Sequence, residues 1–120
     1  MKPGDTGFKR IIKAGIYSIQ GFKAAYQYEA AFRQELFAGI FLIPIAFWIA
    51  SSGIELVILI ASLLLVLICE IINSAIEAVV DRQGEEYHIL AGRAKDMGSA
   101  AVFLALLNAG FCWFIISINY

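Results

Sequence analysis

Three long apolar segments follow one another along the chain and predict three membrane-spanning helices at about residues 34–52, 56–80 and 96–118. A helix needs roughly 20 residues to cross the hydrocarbon core of a bilayer. Residues 36–54 and 97–120 carry no charge, whereas the second segment carries the acidic residues Glu70 and Glu77 inside it. The pattern therefore predicts an all-α membrane protein.

A different periodicity precedes the first span. Between Phe8 and Tyr26, apolar residues recur at helical spacing, and cations such as Lys9, Arg10 and Lys13 lie mostly between them. This pattern predicts an amphipathic helix at about residues 6–29 that lies on the membrane surface. A plain lipid anchor, whose cations merely attract anionic headgroups, explains the same pattern.

Composition supports a membrane location. Of the 120 residues, 61% are hydrophobic and 16% are charged, whereas soluble domains are about 45–50% apolar and about 25% charged. A soluble monomer is thereby excluded, and the length predicts one domain over residues 1–120. The net charge of −1 disfavours nucleic-acid binding.

The cations form two blocks and predict the orientation. All nine Lys and Arg residues lie either within residues 2–33 or at Arg82, Arg93 and Lys95. Because Lys and Arg accumulate in the cytoplasmic loops of membrane proteins, the N-terminus and the loop at 81–96 are expected on the cytoplasmic side.

Glu70 interrupts the second span. An ionisable residue at mid-span costs roughly 3 kcal/mol and usually faces a bundle interior. Glu70 follows Glu55 by 15 residues, or roughly 22 Å of helix, which places it just beneath the cytoplasmic headgroups. Its polar stripe continues through Asn73, Ser74, Glu77 and Asp81.

Staggered carboxylates of this kind can supply a base for a lipid hydroxyl and a ligand for a hard cation. Hydrogen bonding between helices, or the lining of a small pore, explains the same stripe.

A second polar cluster lies at the entry to the first span, where the spacing of Glu29 and Arg33 permits an ion pair. No GxxxxGK[ST] or GxGxxG loop is present, so any ATP would need another cradle.

Four segments together resemble the small integral-membrane diacylglycerol kinases of bacteria. They are GFKRIIKA at 7–14, EAAFRQE at 29–35, EIINSAIEAVVDR at 70–82 and EYHILAGRAKDMGSAAV at 86–102, about half of the chain. The resemblance implies a homotrimeric helical bundle of three-span protomers in a bacterial inner membrane. Each protomer would have an N-terminal surface helix, and neighbouring subunits would share the active sites at the cytoplasmic interface.

The resemblance also implies roles for individual residues. Glu70 falls on the general base, with Asn73 beside it to orient it, and Glu29 and Glu77 fall on the Mg²⁺ ligands. The ATP-binding positions are Arg10, Tyr17, Glu29, Glu77, Glu86, Tyr87, His88, Lys95 and Asp96. The lipid-substrate positions are Arg10, Ala14, Gly15, Ile16, Tyr17, Ser18, Ile19, Ala31, Phe32, Arg33, Gln34, Glu35, Glu70 and Ser99.

The leading hypothesis is therefore an ATP- and Mg²⁺-dependent kinase that converts diacylglycerol to phosphatidate. An undecaprenol kinase of the same family is one alternative, although the RAKDMGSAAV block is closer to the diacylglycerol branch. A non-enzymatic small membrane oligomer or pore is the alternative from another class.

Overall fold

Helices account for nearly all of the chain that the computed structural model describes, which is residue 4 and residues 6–82 and 88–120. The helices are α1 (Gly7–Tyr28), α2 (Ala30–Ile49), α3 (Gly53–Asp81) and α4 (Ile89–Ile118). No β-strand occurs in this part of the chain. The all-α prediction is confirmed.

Three of the helices are long and apolar enough to cross a membrane, namely α2, α3 and α4. The prediction of three spans is confirmed by this length and composition. With 29 and 30 residues, α3 and α4 are each about 44 Å long, which exceeds a hydrocarbon core of about 30 Å. Their polar ends therefore have room to extend beyond the apolar layer.

A single extended residue, Glu29, forms the corner between α1 and α2. Its backbone has φ −114° and ψ 103°, and its N–H donates to the Ala25 carbonyl at 3.0 Å. The Arg33 guanidinium donates to the carbonyls of Tyr26 at 2.7 Å and Gln27 at 3.2 Å, at the end of α1. Arg33 thus satisfies the last carbonyls of α1. The sequence spacing had instead suggested an ion pair between Arg33 and Glu29.

Side-chain caps start the other two long helices. The Ser52 hydroxyl accepts from the Glu55 N–H at 3.2 Å, and the Glu55 carboxylate accepts from the Ser51 N–H at 2.8 Å. This reciprocal arrangement resembles a capping box. At the start of α4, the His88 Nδ1 accepts from the Leu90 N–H at 3.1 Å, so the only histidine of the sequence caps a helix.

The central element is α3, which packs most extensively against α4 and next against α2. A small core of Ala46, Leu59 and Ile116 joins the three helices near the α2–α3 turn. Other large apolar side chains, such as Phe41, Trp48 and Phe111, point outward. The chain measures 49 × 41 × 22 Å, so a single copy is a thin slab with apolar faces.

One side-chain hydrogen bond links α3 to α4 beside this core. The Trp113 Nε1–H donates to the Ser62 hydroxyl at 3.1 Å, and that hydroxyl donates to the Leu59 carbonyl at 2.7 Å. Ser62 is 3% exposed. Since the surroundings are apolar, the indole N–H has its partner only while Ser62 is present.

We expect Ser62→Ala to lower the free energy of unfolding by about 1 kcal/mol, because hydrogen bonds between membrane helices contribute about 0.6 and at most about 1.7 kcal/mol. Denaturant unfolding in detergent micelles measures this. The matched control is Ser117→Ala, which removes an exposed hydroxyl from α4. Equal unfolding free energies for the two variants would contradict the assignment.

Candidate functional site

Two polar side chains are buried on the α3 face that carries the polar stripe. Glu70 is 6% exposed and Asn73 is 8% exposed. Farther along, Glu77 is half-buried and Asp81 is exposed at the end of the helix. The stripe therefore runs from the packed interior of the chain to its surface.

Three other carboxylates lie near that of Glu70. Glu77 on α3, Glu29 at the α1–α2 corner and Glu35 on α2 are all near enough to interact electrostatically with it. We call Glu29, Glu35, Glu70 and Glu77 the carboxylate cluster. Like charges at short range repel each other, so an arrangement of this kind favours a bound cation or a shared proton.

The cluster does not form a complete metal site within one chain. Across residues 6–82 and 88–120, no three His, Cys, Asp or Glu side chains converge in a way that could hold a metal ion. Glu29 and Glu77 are two hard oxygen donors. Mg²⁺ typically binds one or two carboxylates and takes its other ligands from phosphates and water, so these two residues fit such an ion with a nucleotide.

Asn73 has a different partner from the one expected. Its Nδ2 donates to the Glu77 Oε1 at 3.1 Å, so the amide orients Glu77 rather than Glu70. Its Oδ1 is buried with no hydrogen-bond partner among the described residues and lies against Gly98 of α4. The amide is therefore enclosed between α3 and α4.

Glu35 also presents an unpartnered atom. Its Oε2 is buried and has no hydrogen-bond partner within residues 6–82 and 88–120, and Glu35 lines a cavity of about 330 Å³ between α2, α3 and α4. The rest of that lining is almost entirely apolar. A buried carboxylate oxygen in such surroundings needs a proton donor or a cation to offset its desolvation.

An apolar groove of about 710 Å³ lies between α1, α2 and α3. Phe32, a predicted lipid contact, is 3% exposed and belongs to its wall. Leu67 and Ile71 also line it, and they precede and follow Glu70 on α3. A groove with this lining suits hydrocarbon chains, and it brings them close to the carboxylate cluster.

The remaining predicted lipid residues lie on surfaces. On α1, Arg10 and the stretch 15–19 are exposed and Ala14 is half-buried. The Ser18 hydroxyl donates to the Ala14 carbonyl at 2.8 Å within the helix. Ala31, Gln34 and Ser99 are exposed, and Arg33 is half-buried.

The predicted nucleotide residues do not all meet within one chain. Arg10 and Tyr17 precede Glu29 by 19 and 12 residues, or about 28 and 18 Å along α1. At the other side, the Lys95 ammonium pairs with the Asp81 carboxylate at 3.0 Å, and Asp96 is exposed. Glu86 and Tyr87 lie outside the described residues.

Sequence reasoning missed two contributors to this region. Asp81 was noted only as the end of the polar stripe, yet it is the partner of Lys95. Gly98 was not singled out, although it stands within the RAKDMGSAAV block and contacts Asn73. Asp81 follows Glu70 by 11 residues, and this helical spacing is a signal in the sequence that both lie on one face of α3. The Gly98 contact, by contrast, depends on how α3 and α4 pack.

Comparison with known proteins agrees with this geometry. The sequence profile of prokaryotic diacylglycerol kinase matches residues 16–117. The diacylglycerol kinase of Escherichia coli (strain K12) is 56% identical over 116 residues, which cover 97% of this chain and 95% of that protein. Its counterpart in Pseudomonas aeruginosa is 52% identical over 110 residues, with coverage of 92% and 89%.

The diacylglycerol kinase of Haemophilus influenzae is 49% identical over 108 residues, covering 90% of this chain and 92% of that protein. The profile match includes every member of the carboxylate cluster, together with Lys95 and Asp96, but it begins after Arg10. The chain therefore belongs to the prokaryotic diacylglycerol kinase family.

Proposed function

We propose that this protein transfers the γ-phosphoryl group of ATP to the free hydroxyl of diacylglycerol and so forms phosphatidate. The observation that supports it best is the buried Glu70 carboxylate, which stands between residues that line an apolar groove and belongs to a cluster of carboxylates. A lipid alcohol and a charged nucleotide need such a junction of apolar and polar surfaces. The names of the relatives point to the same substrate.

Glu70 acts as the general base. Its carboxylate takes the proton from the lipid hydroxyl as that oxygen forms a bond to the γ-phosphorus. The bond between the γ-phosphorus and the bridging oxygen of ATP breaks, and ADP leaves with the electron pair. The groove beside Glu70 holds the acyl chains and so keeps the hydroxyl near the base.

Glu29 and Glu77 would hold Mg²⁺ together with the nucleotide. When bound there, the ion would supply charge neutralisation at the phosphates, on which phosphoryl transfer largely depends. The residues of this chain supply two carboxylates, one of them oriented by the Asn73 amide at 3.1 Å. The nucleotide site is completed from the α3–α4 side by His88, Lys95 and Asp96. Glu86 and Tyr87 are assigned to it from the sequence alone.

The active protein is a homotrimer whose subunits share their sites. Arg10 and Tyr17 are about 28 and 18 Å from Glu29 along α1, so a neighbouring copy is the simpler source of these residues at each nucleotide site. A single chain is only 22 Å thick in its shortest dimension and exposes many large apolar side chains. Packed copies bury these faces and enclose the polar stripe.

The protein resides in the bacterial inner membrane, with its N-terminus and residues 81–96 in the cytoplasm. Residues 89–96, predicted as part of a loop, form the first turns of α4. The distribution of Lys and Arg supports this orientation. In the same arrangement, α1 lies on the membrane surface, where its cations meet anionic headgroups. ATP then reaches the carboxylate cluster from the cytoplasm.

The function predicts turnover of diacylglycerol by purified protein in detergent micelles with Mg·ATP. Glu70→Gln should lower kcat by about 100- to 10,000-fold, which is the usual contribution of a general base, while nucleotide binding is retained. Phosphatidate formation and ATP binding are the measurements. Glu55→Gln is the matched control, because it removes a carboxylate from the opposite end of α3.

Two results would contradict this function. Faster turnover of undecaprenol than of diacylglycerol in the same assay would favour the polyprenyl kinase. Full folding with no ATP binding, together with an ion conductance that Glu70→Gln alters, would favour a pore.

The metal assignment predicts a raised Mg²⁺ requirement for Glu29→Gln and Glu77→Gln. Each variant loses a carboxylate ligand, so half-maximal activity should need at least about tenfold more Mg²⁺. Titration of Mg²⁺ at saturating ATP measures this, again with Glu55→Gln as the control. An unchanged Mg²⁺ midpoint in both variants would rule out their role as ligands.

The shared-site trimer predicts complementation between subunits. Light scattering should give a protein mass of three times 13.2 kDa per particle. When Glu70→Gln and Arg10→Gln subunits are assembled together, some sites combine an intact Glu70 with an intact Arg10 from a neighbour. Turnover should then exceed that of either variant alone, whereas sites confined to one subunit would give none of this recovery.

A further inference from the structure

Gly98 is the point where α4 comes against the polar stripe of α3. It is one of the few buried residues of α4. A Cβ atom built at Gly98 would overlap the Asn73 Oδ1 and would lie 3.3 Å from the Asn73 Cγ and 3.6 Å from the Ile76 Cδ1. The Asn73 side chain therefore occupies the space that a side chain at position 98 would need.

This close approach sets Gly98 apart from other glycines of the described helices. A Cβ atom would meet nothing within 4 Å at Gly15, Gly21, Gly39, Gly53 or Gly110. Gly98 also lies in ordinary helical conformation, without the positive φ that favours glycine. Its requirement for glycine comes from the contact with Asn73 and not from its own backbone.

The side chain that Gly98 contacts cannot yield easily. The Asn73 amide is short, and its Nδ2 already donates to the Glu77 Oε1 at 3.1 Å. Its Oδ1, on the side facing Gly98, is buried and has no hydrogen-bond partner in the part of the chain that the structure describes. A methyl group at position 98 forces the amide to rotate away, and that rotation breaks the bond to Glu77.

We propose that Gly98 is a positioning residue for the phosphoryl transfer. By lacking a side chain, it holds the Asn73 amide in place, and the amide in turn fixes the Glu77 carboxylate for the metal–nucleotide complex. This inference rests on the proposed function of Glu77. Gly98 itself touches neither substrate and acts only through Asn73.

A double-mutant cycle measured by thermal unfolding, here called the thermal cycle, tests the contact without any need for turnover. The proteins are wild type, Gly98→Ala, Asn73→Ala and the double variant, with Gly110→Ala as the control that adds the same methyl to the same helix in open space. Gly98→Ala should lower the Tm only while Asn73 is present. In the Asn73→Ala background it should leave the Tm unchanged or raise it, because alanine is the better helix former.

Kinetics test the positioning role. Gly98→Ala should raise the Mg²⁺ needed for half-maximal activity by about 10- to 100-fold, as loss of a partner that orients a metal ligand usually does. The KM for diacylglycerol should stay within about twofold, since the groove residues are untouched. Gly110→Ala should match the wild type in both quantities.

Two results would overturn the inference. One is an equal change of Tm by Gly98→Ala in both Asn73 backgrounds, and the other is a Mg²⁺ midpoint of Gly98→Ala equal to that of Gly110→Ala. If the wild type failed to phosphorylate diacylglycerol, the proposed function would fall, and the thermal cycle would still decide whether Gly98 holds Asn73.

Discussion

The burial of polar groups on α3 constrains the rest of this structure. Glu70 and Asn73 lie in a helix that is otherwise strongly apolar, and both are almost fully enclosed. Such groups are costly without partners. Other carboxylates lie near enough to interact electrostatically with Glu70, so the cluster favours a bound cation or a shared proton. The same requirement makes it suitable for binding a metal–nucleotide complex.

The two ends of the α3–α4 pair differ because the polar stripe of α3 lies toward only one of them. Near the α2–α3 turn, the helices meet through Leu59 and Ile116 and through the Trp113–Ser62 hydrogen bond. Toward the other end, Gly98 lets α4 approach the polar stripe of α3 and contacts Asn73 directly. One end thus joins the helices through apolar packing, while the other brings α4 against the proposed site.

A single chain leaves both its apolar packing and the proposed site incomplete. Its core contains few fully enclosed large side chains, and Leu59 is the one among the described residues with essentially no exposure. The length of α1 separates Arg10 from Glu29 by about 28 Å. In the proposed trimer, further copies would provide both the missing apolar packing and the missing site residues, so that activity would depend on assembly.

The sequence by itself determined the three spans, the polar stripe and the family, because hydrophobic runs, helical periodicity and local motifs depend on neighbours along the chain. Only the tertiary structure decided that Arg33 caps α1, that Asn73 donates to Glu77 rather than Glu70, that Lys95 pairs with Asp81 and that Gly98 contacts Asn73. These choices depend on side-chain direction and on how closely helices approach one another. Neither quantity is encoded in spacing along one helix, since each is set by packing between residues distant in sequence.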